Sequence, residues 1–294
     1  MKKTGRDSKV LFVCLLTFLM LVPSVYAQNN KGQIDLKISG GLCYLEVGDW
    51  NAHHKGWNDS RRKSVEAAGG TVISENQPLH WGWEMEGEFI LHLGSRIAVG
   101  IGTGYIRGKV ADTSETLVDE IRALNFQDFR VRAIPLKAKG YYILPISPKA
   151  RIALGGGLGY YFTRFTRFYR REPGTGYWIE SDMSGNGAGF GVEGGVSFEY
   201  AIKNNISIII DGSGRYAKIS GITGKRDRND SNNWSDSIEG SYFALERERS
   251  PGVWSPVVNI ATTPPSEVGT RNVRDAAIDL SGFAIKVGLK IRLF

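Results

Sequence analysis

Cysteine is almost missing, with only Cys14 and Cys43 among 294 residues. That excludes a disulfide framework inside the mature chain and every C-x-x-C metal spacing. Histidine is sparse, at four residues. The nucleophile elbow G-x-S-x-G is absent, which removes the commonest serine-hydrolase signature. No apolar run reaches the ~20 residues a spanning helix requires. Charge of one sign is also lacking, because 37 bases face 30 acids. An excess that small does not argue for nucleic acid. What is abundant is glycine, 37 residues without a G-X-Y period, and aromatic residues at 11%. Collagen is excluded, and the composition is that of an all-β chain with many turns or close-packed strands.

The first 27 residues read as an address. Lys2, Lys3, Arg6 and Lys9 precede an apolar run from Val10 to Val22, and Pro23-Ser24-Val25-Tyr26-Ala27 follows as a small-residue cleavage site. This is the layout of a secretory signal cut after Ala27. Phe12 and Val13 are too bulky for a lipoprotein cleavage site before Cys14. The mature domain is then 28–294. Removing four bases and one acid takes its net charge from +7 to +4. An exported chain of this charge is expected to have no nucleic-acid partner.

Period-two alternation recurs eight times. Gln33 to Leu45 sets Ile34, Leu36, Ile38, Leu42 and Tyr44 against Asp35, Lys37, Ser39 and Cys43. Leu79 to Leu93 sets Trp81, Trp83, Met85, Phe89 and Leu91 against His80, Glu84, Glu86, Glu88 and His92. Arg96 to Arg107, Phe129 to Leu144, Ala150 to Phe162, Ala188 to Tyr200, Ile206 to Tyr216 and Phe283 to Leu293 alternate in the same way. In Phe129 to Leu144 the apolar parity slips beside Pro135, which predicts a bulge. Three links are short: Gly94-Ser95, Pro145 to Pro148, and Lys203 to Asn205. The others are long, about 33, ~20, ~25 and ~60 residues. Strands near the ~9–11 residues a bilayer needs, with short turns at one end and long loops at the other, predict an all-β, eight-stranded antiparallel up-and-down transmembrane β-barrel with long extracellular loops.

The polar faces define a predicted lumen charge network: Glu84, Glu86, Glu88, Glu193, Glu199 and Asp211 against Lys137, Lys139, Arg151, Arg215, Lys286, Lys290 and Arg292. Eight strands enclose just enough room for side chains, so these charges must pair or be wetted. A closed, salt-bridged lumen is the expected state, with a narrow channel for small or hydrophobic solutes as the alternative. The apolar faces carry a predicted aromatic girdle. Tyr44, Trp81, Trp83, Tyr105, Tyr160, Phe162 and Tyr216 fall near the long loops, and Tyr142, Phe198 and Tyr200 near the short turns.

The last segment, Phe-Ala-Ile-Lys-Val-Gly-Leu-Lys-Ile-Arg-Leu-Phe from Phe283 to Phe294, resembles the terminal strand of bacterial outer-membrane β-barrels. With the signal, the strand count and the loop asymmetry, the chain resembles the small eight-stranded barrels, which include the outer-membrane protein A barrel, the W and X types and the opacity proteins. The resemblance implies a monomer in the bacterial outer membrane, in contact with outer-membrane lipid and lipopolysaccharide. It also implies that Phe294 is read by the barrel-assembly machinery, although Leu293, not Phe294, holds the apolar phase. The long loops are expected to carry surface recognition, without enzymatic activity or cofactor.

The loops themselves offer weak signals. His53-His54 lacks a third metal ligand at useful spacing. Arg61, Arg62 and Lys63, with Arg164, Arg167, Arg170 and Arg171, suit lipopolysaccharide phosphates. Barrel enzymes place catalytic groups at the outer rim, where His80, His53, His54 and Ser60 are the candidates, but nothing sets them in a catalytic order. Lys225 to Asn233 reads as a mobile polar stretch. Ser241 to Leu245 and Val253 to Ile260 read as a hairpin extending the sheet outward.

Overall fold

The computed structural model describes residues 32–174, 176–250 and 252–293. The predicted signal and Phe294 therefore lie outside the described residues. In chain order the elements are β1 (Ile34–Tyr44), α1 (Asp49–Ala67), β2 (Thr71–Ser74), β3 (Trp81–His92), β4 (Ile97–Val118), β5 (Ile121–Pro145), β6 (Ala150–Glu172), β7 (Ile179–Lys203), β8 (Ile206–Tyr216), β9 (Lys218–Ile219), β10 (Thr223–Asp230), β11 (Ser235–Ser250), β12 (Val253–Ala261), β13 (Thr270–Asp275), β14 (Ile278–Asp279) and β15 (Gly282–Arg292).

Eight strands close a ring in the order β1, β3, β4, β5, β6, β7, β8, β15, each antiparallel to its neighbours. The three short links fall where the sequence puts them, after β3, β5 and β7. Along the lower part of every ring strand, charged and small residues point inward while aliphatic and aromatic residues point out.

Higher up, the two faces exchange character without exchanging direction. On β5 the odd positions point inward from Phe129 to Lys137. Phe129, Val131 and Ala133 join a buried apolar cluster, whereas Lys137 lies among charges. The pairing of β5 with β6 keeps one register through Pro135, so no bulge forms there. The apparent slip in the sequence is instead the height at which the interior turns from charged to apolar. At the same height the outer face turns polar, with Arg130 and Arg132 on β5 and Arg164 on β6.

Much of the expected loop sequence is regular structure. The link after the third ring strand is a two-residue turn, Asp119-Glu120, because β4 and β5 stay paired out to Val118 and Ile121. The stretch Lys225 to Asn233, expected to be mobile, lies largely in β10, which pairs with the upper half of β7 and with β11. Two neighbours satisfy its backbone, and that outweighs its polar composition. The β11–β12 hairpin extends the sheet outward as expected.

The first long link forms α1. The chain turns in through Val47 and Gly48, both at positive φ, and Val47 N–H bonds the Asp279 carbonyl at 2.7 Å. Trp50, His54, Asn58, Arg61 and Val65 recur at three- to four-residue spacing and share the inward face. Trp50 seats its ring 4.3 Å from that of Phe165, with Phe129 and Tyr242 at 5.6 and 5.5 Å. On the other side of the helix, Gly56 permits close approach to β12, since a Cβ there would lie 2.7 Å from Pro256 Cδ. α1 therefore roofs an apolar core that fills the upper interior.

Candidate functional site

The interior of the lower ring is built by alternation. Each strand delivers inward side chains at every second residue, and the register sets their heights. β1 places Asp35 and Lys37 inward, β3 Glu84, Glu86 and Glu88, and β5 Lys137 and Lys139. β6 and β7 add Arg151, Glu193 and Glu199, and β8 and β15 add Asp211, Arg215, Lys286 and Lys290.

The upper cluster centres on Lys137. Its Nζ lies 3.0 Å from Glu84, 2.8 Å from Glu86 and 2.7 Å from Glu193. These three carboxylates converge closely enough to hold a cation, and the lysine ammonium occupies that place. Lys286 sits 2.8 Å from Glu86, and Lys139 pairs with Glu86 and lies 2.9 Å from Glu193. Arg215 donates to Glu84 at 2.7 Å and, through Nε, to the Leu280 carbonyl at 2.8 Å. That second bond ties the charged level to the apolar core above it, to which Leu280 belongs.

A lower cluster joins Glu199 to Arg151 and to Lys290, with Asp35 3.5 Å from Lys290 and 2.8 Å from His92 Nε2. Between the clusters, Lys37 meets Asp211 at 2.8 Å, and Tyr141 Oη lies 2.6 Å from Glu88 Oε1. Gly155 leaves the space that the Tyr141 ring fills, since a Cβ there would fall 2.6 Å from Cε1. A cavity of about 30 Å³ beside Lys37, Tyr141 and Asp211 has room for about two waters. Burial of so many charges is tolerable only because each faces an opposite charge.

Twelve of the thirteen residues of the expected network meet in this interior. Arg292 does not: it is exposed and makes no ion pair among the described residues. It lies one inward position beyond Lys290, where the ring opens to solvent. Asp35, Lys37 and His92 belong to the network and were missed by sequence reasoning. Their signal was present, because they share the polar faces of the first two alternating segments.

All ten girdle residues stand on the outer face. Tyr44 stacks on Phe283 at 5.5 Å and meets Trp81 edge-on at 5.8 Å. Trp83 packs on Tyr105 at 5.3 Å, and Tyr160 touches Phe162 and Phe190 at 5.1 and 4.9 Å. Tyr216 stands exposed on β8, and Tyr142, Phe198 and Tyr200 occupy the end near the short turns. Phe190 and Phe283 are additional members.

The cap separates the remaining candidates. His80 stacks on Tyr44 at 5.0 Å and reaches the Leu45 carbonyl at 3.2 Å. His53 Nδ1 accepts from the Val258 N–H at 3.3 Å, which requires a neutral ring nitrogen there. Burial, with help from the Arg167 charge, holds His53 well below the ordinary imidazole value and lowers His54 in the same direction. Ser60 lines a separate cavity beside Arg61.

No family model matches the chain, and no curated relative matches it. Among solved structures it is similar to a major outer membrane protein from Thermus thermophilus, at 12% identity and TM-score 0.40, over 89% of this chain and 99% of that one. It is also similar to the outer membrane protein OprG from Pseudomonas aeruginosa, at 9% identity and TM-score 0.38, over 90% and 96% of the two chains. A third similarity is to the outer membrane protease OmpT from Escherichia coli, at 11% identity and TM-score 0.27, over 92% and 99%.

Proposed function

We propose that this chain is an integral protein of a bacterial outer membrane, a barrel closed to solute flow whose work is done by the cap standing above the bilayer. The observation that carries this reading is the inside-out order of the lower ring. Its exterior is an unbroken apolar belt, with Leu42 67%, Phe190 77% and Ile285 61% exposed, while its interior is charged. A water-soluble barrel would place these sets the other way round. On β15 and the residue that follows it, the outward residues Phe283, Ile285, Val287, Leu289, Ile291 and Leu293 cover ~33 Å of chain, or ~25 Å of height at barrel tilt, which matches a membrane band. The contacting aromatics at its upper edge suit the headgroup level. Above that edge the outer face becomes polar, as it must on leaving lipid.

The closed state is supported by two filled levels in series. The salt-bridged level is close-packed around Lys137, and above it Trp50, Phe129, Phe165 and Tyr242 pack under α1. A narrow channel would have to breach both. Export by residues 1–27, assembly through the terminal strand and Phe294, contact with outer-membrane lipid and lipopolysaccharide, and a monomeric state all belong to this proposal. So does the absence of catalysis, which the separate engagements of His53, His80 and Ser60 support.

Conductance across a planar lipid bilayer tests the reading. The refolded chain, with folding verified by its heat-dependent gel shift, is expected to leave the bilayer silent. Discrete, reproducible steps would overturn the closed barrel.

A further inference from the structure

The cap contains a cavity that no part of the closed-barrel reading uses. It measures about 220 Å³ and lies between α1, the upper halves of β4, β5 and β6, and the end of β11. Arg61, Arg171 and Arg249 line it, together with Trp57, Ser60, Ser64 and Asn125, and no carboxylate is among the lining residues. None of the three arginines forms a salt bridge among the described residues. Arg61 is held by neutral acceptors only. It bonds the Ser114 hydroxyl, and its Nη2 donates to Thr116 Oγ1 at 3.2 Å. With the Asn125 amide turned to satisfy all its neighbours, its oxygen accepts from Arg61 Nη2 at 2.8 Å and its nitrogen donates to Tyr169. These contacts orient the guanidinium without a carboxylate in direct contact, Glu75 acting on it only from a distance.

Three guanidinium groups around one cavity repel one another. Burial, with the neighbouring Arg171 charge, lowers the Arg61 pKa, and burial with Arg247 lowers that of Arg249. Such a cluster is relieved by an anion, and arginine's planar fork matches the oxygen pairs of phosphate. We propose that this cavity is a binding site for a phosphate group carried by a water-soluble molecule, gripped by Arg171 and Arg249, oriented by Arg61, with Trp57 and the Ser60 and Ser64 hydroxyls facing whatever the phosphate is attached to.

The position of the cavity decides the source. Thr116 lines it, eleven residues beyond the girdle residue Tyr105 on the same strand. That separation is ~36 Å along the strand and still ~28 Å at barrel tilt, beyond the reach of a phospholipid headgroup. Arg164, which the sequence groups with these arginines, points outward from β6 and takes no part.

The test is isothermal titration of the full chain with inorganic phosphate, in lipid nanodiscs of phosphatidylcholine. Saturable binding is expected, weakened at least about tenfold in Arg171→Gln/Arg249→Gln and unchanged in Arg164→Gln. Both variants must keep the heat-dependent gel shift, which reports the ring, and the parent protein's rate of limited proteolysis in the cap, and together these separate lost binding from lost folding. Discs containing phosphatidic acid should leave the phosphate affinity unchanged. No saturable heat up to ~10 mM phosphate, or equal binding by the double variant, overturns the site. A fall in affinity with phosphatidic acid overturns the soluble source and assigns the pocket to a headgroup.

Discussion

Lys137 on β5 reaches across the barrel to Glu193 on β7 at 2.7 Å, although β6 stands between their strands. The same ammonium touches Glu84 and Glu86, so one side chain neutralises a convergence of three carboxylates. Replacing it by Met keeps much of the volume and leaves the acids facing one another. Lys137→Met is therefore expected to cost about 3–5 kcal/mol, the scale of breaking a buried pair from one side. The urea midpoint of the protein refolded in vesicles measures it. Adding Glu86→Gln should restore part of the loss, and an unchanged midpoint in the single variant would refute a structural role for the network.

Trp50 couples α1 to the upper core through Phe129, Phe165 and Tyr242, while the lower ring is closed by backbone pairing below it. Trp50→Ala should cost the cap about 3–5 kcal/mol without opening the ring. Limited proteolysis is expected to cut the cap faster, while the heat-dependent gel shift persists. Loss of both together would mean that cap and ring unfold as one unit.

What the sequence made legible follows from where the solvent changes. In the lower ring, an apolar exterior and a charged interior impose a strict alternation, so all eight strands and most of their inward residues could be read. In the cap, water lies outside and an apolar core inside, so the same parity carries the opposite chemistry. Phe129 and Val131 therefore looked out of phase with Lys137, although all three point inward. α1 was hidden for a related reason: its buried face is largely polar, with His54, Asn58 and Arg61, and Asn51 is spent binding the Leu79 backbone. The Arg61 cavity could not be read because Arg171 and Arg249 approach α1 only through the pairing of distant strands.

The turn Asp119-Glu120 shows a third kind of concealment. Both residues take positive φ, 47° and 67°, to close a two-residue hairpin. This geometry ordinarily announces itself by Asn-Gly or Asp-Gly, and Glu at the second position carries the penalty of a left-handed backbone. Glu120→Gly should stabilise the β4–β5 extension by about 1 kcal/mol, net of the added freedom of the unfolded chain. Hydrogen exchange of the amides from Thr113 to Gln127 would show it as slower exchange. Faster exchange would mean that the turn is held by contacts of the Glu120 side chain.

The cap should also respond to acid through its two adjacent histidines. Burial holds the folded-state values of His53 and His54 below the ordinary one, so both are neutral in the folded cap. The unfolded segment takes up protons near pH ~6.5. Between the two values the unfolded form binds more protons, so stability rises with pH and is lost as pH falls through ~6.5 toward the folded values. Proteolysis of the cap should therefore accelerate between about pH 7.5 and about pH 5, within the range where histidine dominates titration. His53→Asn keeps an acceptor for the Val258 N–H, and His54→Gln keeps a polar group near Gln127. The double variant should flatten most of that dependence, and an equally steep profile would mean that the acid sensitivity does not come from these histidines.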